Sequence, residues 1–571
     1  MDMDTPSFFS FFTKYSYLDN YGFTAGFFGR IFRKFLPKIA HQKSFEYYLQ
    51  TLEGVDAKRE GALVLVSELL NDSNLRGQLI EELDRSIEAL VLKIASFGLD
   101  HEISSKYDQL AIDTDCYRTL SRIIADVKNH RTENLQQALS EVKETIEKLR
   151  KYKNQIGTSM HLTVLTVRVL EHLKRVTDLI DLRGEITSSD KWEQIITQYL
   201  DHDRSRNSLR KYIGSHLDLL ALEIVEHTSY QGERYIARNF QEYIGFFRKG
   251  LMGGAIISVF ALFKIFIDNN NLSDLPLALA YSCNYALCFL IVKYLGGVIA
   301  TKQPAMTAST IIKHIDKNND LKIDAIQDII LLIRKVFRSQ FASLMGNFLM
   351  ALIMSSCLAF LLNATVVKTP ISVEKASYLF KQVSPIYGGG IFYASIAGVF
   401  LALSGLISGY FDNKVIASNL TERVQRNMFL SKHISEQKRI KASLFIKKNL
   451  GIITGNVSLG FLLGSSFLFS NVFPFDIDIR HIAFSSANVG YALVNQPFSL
   501  LSTLYAFLGV MTIGLVNFLV SFSITFFLAL KSRSITLSGL KKLIKLSLKD
   551  IMFNPLAYLA FNADRTETKT K

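Results

Sequence analysis

The residues best able to do chemistry lie where polar side chains interrupt apolar sequence. Thr301-Lys302-Gln303-Pro304-Ala305-Met306-Thr307-Ala308 and Asp478-Ile479-Arg480-His481-Ile482-Ala483-Phe484-Ser485-Ser486-Ala487-Asn488 both border long apolar runs and are richer than a connector requires. Helix capping and interface anchoring are the plainer use of both. If the second stretch re-enters the bilayer, its carboxylate, guanidinium, imidazole, hydroxyl and amide groups would build a polar site. Thr301, Lys302, Gln303, Asp478, Arg480, His481, Ser485 and Asn488 are therefore the candidate membrane-edge site. Asn284 and Asn347 sit deeper in apolar runs, where an amide hydrogen-bonds across helices or lines a polar cavity. Lys264 and Lys293 lie near the ends of such runs, where a four-carbon stem carries the ammonium to the interface. No acidic residue sits deep in an apolar run, so a carboxylate-based proton or cation relay has no obvious carrier.

Other patterns have simpler explanations. Residues 316–328 imitate a calcium-binding loop through Asp316, Asn318 and Asp320, but Leu321 stands where a glycine must turn the chain. Gln327 stands where a bidentate glutamate is needed, leaving a solvated loop that caps the next helix. His172-Leu173-Lys174-Arg175 has the His-x-x-Arg spacing with which tyrosine recombinases neutralise a phosphate. Trp192 and Tyr199 follow too closely for the later residues of that constellation, and the apolar stripe around the pair reads as an ordinary helix. The four cysteines, Cys116, Cys283, Cys288 and Cys357, form no Cys-x-x-Cys pair, which favours buried free thiols over a disulfide framework or zinc site. His101-Glu102 lacks the second histidine that zinc requires. No phosphate-binding Gly-rich loop or metalloprotease helix is present, so neither a cofactor nor a metal is expected.

These residues must be positioned by an all-α chain in two parts. The composition is 49% hydrophobic with 42 Phe and only 20% charged, over 571 residues. The apolar residues concentrate in the second half, which points to a bilayer. Residues 1–40 form a basic aromatic segment: Phe23, Phe27, Phe28, Ile31, Phe32 and Phe35 recur at helical spacing beside Arg30, Arg33, Lys34 and Lys38. Such a helix either lies on an anionic leaflet or packs on the rest of its domain. Residues 41–240 read as a cytoplasmic helical bundle. Leu135, Leu139, Val142, Ile146 and Leu149 make a short coiled-coil-like seam, and Leu162, Leu165, Val169, Leu173, Val176 and Ile180 a second stripe.

Residues 241–530 read as a transmembrane domain of about six spans, near 250–267, 275–297, 341–362, 386–411, 450–473 and 504–530. Each covers roughly 30 Å of hydrocarbon at about 1.5 Å per residue. The uncharged run from Phe498 to Leu530 exceeds one span's need, so its start should lie in the interface or re-enter. Lys302, Lys313, Lys317, Lys322, Arg334, Lys335 and Arg338 follow the second span. Lys414, Arg423, Arg426, Lys432, Lys438, Arg439, Lys441, Lys447 and Lys448 follow the fourth. These connections should be cytoplasmic, as should the basic tail, residues 531–571, placing both termini inside. The formal charge of +14 is largely explained this way without nucleic acid. The start Met-Asp-Met-Asp shows no cleavable signal pattern.

Several stretches carry a joint resemblance. They are Gly157-Thr158-Ser159 with Leu162-Thr163, Gly232-Glu233-Arg234-Tyr235-Ile236 leading to Glu242-Tyr243, and Thr301 to Ala308. Further on come Arg338-Ser339-Gln340-Phe341, Gly405-Leu406-Ile407-Ser408-Gly409 and Asp478 to Asn488. Through them the sequence resembles, over nearly its whole length, the bacterial membrane-protein family labelled site-specific recombinase, distinct from the tyrosine and serine recombinases. The resemblance implies a helical N-terminal region and several spans in the inner membrane. Its label implies DNA recombination, with no catalytic residues to carry over.

Three functions follow as expectations. A membrane scaffold would bind a partner protein through the helical domain and use the spans as its anchor in the lipid bilayer. A channel or transporter for a small solute would need a polar cavity lined by Asn284, Asn347, Arg480, His481 and Asn488. DNA binding or recombination would need a continuous basic face on residues 41–240, where acidic and basic residues are instead mixed. The scaffold is favoured.

Overall fold

The structure is a computed structural model describing residues 6–13, 30, 40–128, 132–152, 160–206, 208–210, 213–214, 236–270, 272–300, 307, 323–365, 371–385, 389–471, 478–532 and 537–560. Among these, regular structure is helical apart from one isolated bridge between Ser7 and Ser44. The chain divides into two compact units, Met1–Leu220 and Ala221–Lys571.

The first unit is a helical bundle of α1 (Phe9–Thr13), α2 (Phe45–Thr51), α3 (Val55–Asn71), α4 (Ser73–Phe97), α5 (His101–Leu110), α6 (Asp115–Lys128), α7 (Thr132–Lys151), α8 (Met160–Gly184) and α9 (Ser189–Arg206). Asp72 starts α4 by accepting from the backbone N–H groups of Asn74 (2.8 Å) and Leu75 (3.2 Å), which satisfies donors that the first turn leaves open. From there Leu79, Leu83, Ile87, Leu90, Val91 and Ile94 recur at helical spacing, and all are buried. The α7 seam, Leu135 to Leu149, is likewise buried within the unit, where α7 packs on α6 and α8. Its heptad pattern thus serves an intramolecular bundle. The α8 stripe from Leu162 to Ile180 joins the same core. An aromatic cluster of Phe8, Phe11, Phe12, Phe45, Trp192 and Tyr199 belongs to the same core, and Trp192 Nε1 donates to the Ile186 carbonyl at 2.8 Å. Burying each such ring stabilises by roughly 1.5–3 kcal/mol. Phe23, Phe27, Phe28, Ile31, Phe32 and Phe35 lie outside the described residues.

The second unit contains α10 (Phe240–Asp268), α11 (Asp274–Tyr294), α12 (Ile323–Thr365), α13 (Val373–Lys381), α14 (Gly390–Ala417), α15 (Leu420–Gln425), α16 (Met428–His433), α17 (Glu436–Gly464), α18 (Ile482–Asn495), α19 (Leu500–Ser532) and α20 (Leu537–Phe553). Five of them, α10, α11, α12 from Ile326, α14 and α19 to Leu530, are long and apolar enough to cross a membrane. This is a membrane protein. The sixth expected span, near 450–473, falls on α17 and the 3-10 turn Ser466–Asn471. The first half of α17 is basic, carrying Lys438, Arg439, Lys441, Lys447 and Lys448. Its apolar half, from Leu450 to Gly464, covers roughly 22 Å. The long run before Leu530 is one continuous helix, α19, of 33 residues.

Small residues set the closest crossing. A Cβ on Gly250 would collide with the Ser343 carbonyl oxygen, and one on Gly346 with the Phe247 carbonyl oxygen, so α10 and α12 meet backbone to backbone. Gly460 similarly lies against Ala286, bringing α17 onto α11.

α18 differs from the other helices of this unit in having no exposed residue. Its 14 residues span roughly 21 Å, too short to cross the hydrocarbon. Ten are buried and the other four half-buried, against α10, α12, α13 and α19. Tyr491 donates to the Ser258 carbonyl at 2.8 Å and Ser356 to the Gly490 carbonyl at 3.3 Å, tying α18 to α10 and α12. The stretch from Asp478 to Asn488 is therefore the start of a buried half-helix.

Candidate functional site

The start of α18 depends on one side chain of α19. The Asn517 amide is fully buried. Its Oδ1 accepts from the Ile482 N–H at 3.2 Å, while Nδ2 donates to the carbonyl oxygens of Arg480 (2.9 Å) and Ala394 (2.8 Å). A residue 35 positions away in sequence thus supplies the cap that His481 does not make with its own side chain, and ties α18 to α14.

This anchorage aims Arg480 and Asp478 toward two neighbouring cavities. Arg480 forms an ion pair with Asp478, donates through Nε to the Gln382 carbonyl at 3.1 Å, and lies 5.3 Å from the Tyr393 ring centroid. A guanidinium held by a carboxylate, a carbonyl and an aromatic face is fixed in orientation. The larger cavity has a volume of about 1260 Å³. Tyr378, Phe380, Tyr393, Phe467 and Tyr505 give it an aromatic wall, and Asp274, Lys381, Asp478 and Arg480 a charged edge.

The smaller cavity, about 280 Å³, shares Tyr378, Gln382, Phe467 and Asp478 with the larger. A second ion pair, Asp268 with Lys375, lines it. Tyr281 donates to the Asp268 carboxylate at 2.8 Å. Lys264 lies one turn before Asp268, its Nζ 5.1 Å and 5.6 Å from the ring centroids of Tyr281 and Tyr285. The Asp268–Lys375 pair, the Lys264 ammonium and the Asp478 carboxylate therefore face the smaller cavity, while the Asp478–Arg480 pair faces the larger. Such cavities can bind a charged small molecule by exchanging partners with it, because an ion pair holds groups of both signs ready.

The sequence candidates separate clearly. Asp478 and Arg480 line the larger cavity, and Asp478 and Asn488 the smaller. His481 is buried behind them, its ring 6.3 Å from Phe289 and 6.2 Å from Phe484. Ser485 is buried within α18. Asn347 is a packing residue: Nδ2 donates to the carbonyl oxygens of Gly250 (3.0 Å), Val298 (2.9 Å) and Ser343 (3.1 Å) at the α10–α12 crossing. Asn284 donates to the Phe260 carbonyl at 3.0 Å, joining α11 to α10. Neither amide lines the cavities above. Thr301, Lys302 and Gln303 lie outside the described residues, as does most of the calcium-loop imitation.

Asp268, Tyr281, Lys375, Gln382, Tyr393 and Asn517 are not among the sequence candidates, and Lys264, expected at the interface, lines the smaller cavity. A signal existed for part of this set. Lys264 with Asp268, and Tyr281 with Tyr285, are i,i+4 pairs on consecutive helices flanking one short connection, so each pair shares a helix face near the same end. Nothing local marks Lys375, Gln382 or Asn517.

In the first unit the His-x-x-Arg pair turns inward. The His172 ring stacks on Phe97 with centroids 6.0 Å apart, and burial pulls its pKa down to about 4. Arg175 is fully buried, donating through Nε and Nη2 to the carbonyl oxygens of Phe12 and Phe11, both at 3.2 Å. Among the described residues no group of three or more His, Cys, Asp or Glu is arranged to hold a metal ion.

No curated protein and no solved structure matches this chain. One protein family does, over residues 3–560, a range that takes in both the helical bundle and the membrane unit with its buried half-helix. With nearly its full length matched, the chain belongs to the family described as site-specific recombinase.

Proposed function

We propose that this is a bacterial inner-membrane protein, both termini cytoplasmic, whose membrane unit binds a small charged solute in the cavities at the start of α18. The observation that carries the reading is the opposed pair of ion pairs, Asp478–Arg480 and Asp268–Lys375, bordering two cavities that share Asp478. Aromatic lining beside charges of both signs fits a solute with a compact apolar body and at least one ionised group. A short buried helix packed among spans is also how transport proteins bring polar backbone and charge to membrane depth. The orientation rests on the lysine and arginine excess of the connections around residues 301–338 and 412–449.

This reading is placed ahead of the scaffold role because a scaffold needs no charged cavity among its spans. The helical first unit is free to bind a partner protein in either case. The family's description supports DNA as a partner, but Arg175, the cation of the His-x-x-Arg pair, is engaged with two backbone carbonyls inside the bundle.

The test uses the full chain purified in detergent. Thermal shifts are measured against amino acids, dicarboxylates and phosphorylated sugars, and binding of labelled duplex DNA is measured at low and physiological salt. Saturable stabilisation by one solute class, abolished in Arg480→Gln and Lys375→Gln, is the expected result. Sequence-dependent DNA binding that survives physiological salt, with no solute response, would overturn it.

A further inference from the structure

Beyond the cavities, α20 presents a surface with two chemically distinct stripes. One side is taken up by the protein: Leu543 is buried with Ile326, Ile329, Ile333 and Val336 of α12, and Leu546 and Ile551 pack against the same cluster. The helix is pinned there by Asp550, which accepts from Arg334 Nε at 2.8 Å and from the Tyr558 hydroxyl at 2.6 Å. On the other side, Ile544, Leu548 and Met552 recur four residues apart and are 48%, 61% and 71% exposed. Lys541, Lys545 and Lys549, also exposed, form a parallel stripe one position further round. The apolar stripe continues through Phe553 and Leu556, which are equally open.

We infer that α20 lies in the plane of the membrane surface, with Ile544, Leu548 and Met552 among the acyl chains and Lys541, Lys545 and Lys549 on anionic head groups. An exposed apolar stripe edged by lysines is the pattern of an interfacial helix. Its position in the chain agrees, because the span-length part of α19 ends at Leu530 and α20 begins at Leu537. Packing on α12 and the Arg334–Asp550 pair fix which face is left for lipid. A protein partner would have little reason to pair a lysine row with this stripe at the end of a span, whereas an anionic leaflet meets both at once.

The experiment places a nitroxide on a single cysteine at position 548 of the full chain, with Cys116, Cys283 and Cys357 replaced by alanine and buried Cys288 retained. The protein is reconstituted in phosphatidylcholine vesicles with and without phosphatidylglycerol. Collision with oxygen, which partitions into lipid, is compared with collision with a water-soluble nickel chelate. The expected result is a severalfold higher oxygen-to-nickel ratio at Leu548→Cys than at Lys545→Cys. That difference should grow with phosphatidylglycerol and shrink in Lys541→Glu/Lys549→Glu. Nickel access at both positions in both vesicles would show a solvated helix and overturn the inference. Shielding of position 548 from both reagents would show a protein covering, a partner or a second copy, and would also overturn it. Labels at Ile544→Cys and Met552→Cys repeat the test should the first variant not purify as a single species.

Discussion

At the scale of single residues, buried polar groups decide where the sequence permits change. Asn517 satisfies one donor and two acceptors, so Asn517→Leu leaves all three without that partner in an apolar setting. The expected loss is about 2–4 kcal/mol, read as a fall of several degrees in the melting temperature of the detergent-purified protein. Asn517→Asp, which keeps the acceptor but not the donors, should not restore it. His172 gives a pH test in the first unit. Its pKa is about 4 in the folded bundle and near the ordinary 6.5 when unfolded, the cause being burial, with Lys93 and Arg168 adding to it. Between these values the unfolded chain takes the proton and the folded chain does not. Stability is therefore fullest above pH 6.5 and falls toward pH 4, by about 2 kcal/mol at pH 5 from this group. The only tryptophan, buried Trp192, reports unfolding of the same unit, and His172→Phe should flatten the dependence.

Among elements, α18 and α20 hold their places through packing partners rather than through their own helix propensity. A Cβ at Gly490 would strike the Ser355 hydroxyl and the Leu352 carbonyl, so Gly490→Val should push α18 off α12. Faster proteolysis of the 478–496 region, with the first unit's Trp192 signal unchanged, is the outcome to look for. For α20 the decisive contact is Arg334–Asp550. The Arg334 guanidinium, followed by the Tyr558 and Asn554 hydrogen bonds, holds the Asp550 carboxyl below its ordinary value near 3.8 despite partial burial. The clamp is thus present above the ordinary carboxylate range and is lost as pH falls through the lowered value. Asp550→Asn should weaken it at neutral pH by roughly 1–3 kcal/mol, seen as faster amide exchange across Leu537–Phe553 with α12 unaffected.

The whole molecule couples a helical bundle to a membrane unit whose charged cavities lie where a half-helix begins. Its orientation is the most economical property to test. With both termini inside, a cysteine at Lys432 or Lys441 should react only with reagents on the cytoplasmic side, and one at Asn270 only from outside. Reaction of position 432 from outside would reverse the topology and move the cavities to the opposite face.

Much of this architecture was legible in linear order, for a definite reason. Helical class, the α7 and α8 stripes and most of the spans follow from local periodicity and from runs of apolar residues, properties that neighbours along the chain determine among themselves. The stretch Asp478 to Asn488 stood out because charge beside apolar sequence is costly unless something distant satisfies it. What that something is could not be read locally. Lys375 meets Asp268 across 107 positions, Arg480 meets the Gln382 carbonyl across 98, and Asn517 caps Ile482 across 35. The same limit keeps Asn347 and Asn284 open, in sequence, between joining helices and lining a cavity; in the fold their amides join helices. The sequence alone determined that this protein is helical and lies in a membrane, since both rest on backbone hydrogen bonding and hydrophobicity. Only the tertiary structure decided which charges share a space, because a buried charge is stabilised by partners that the chain brings together only when it folds.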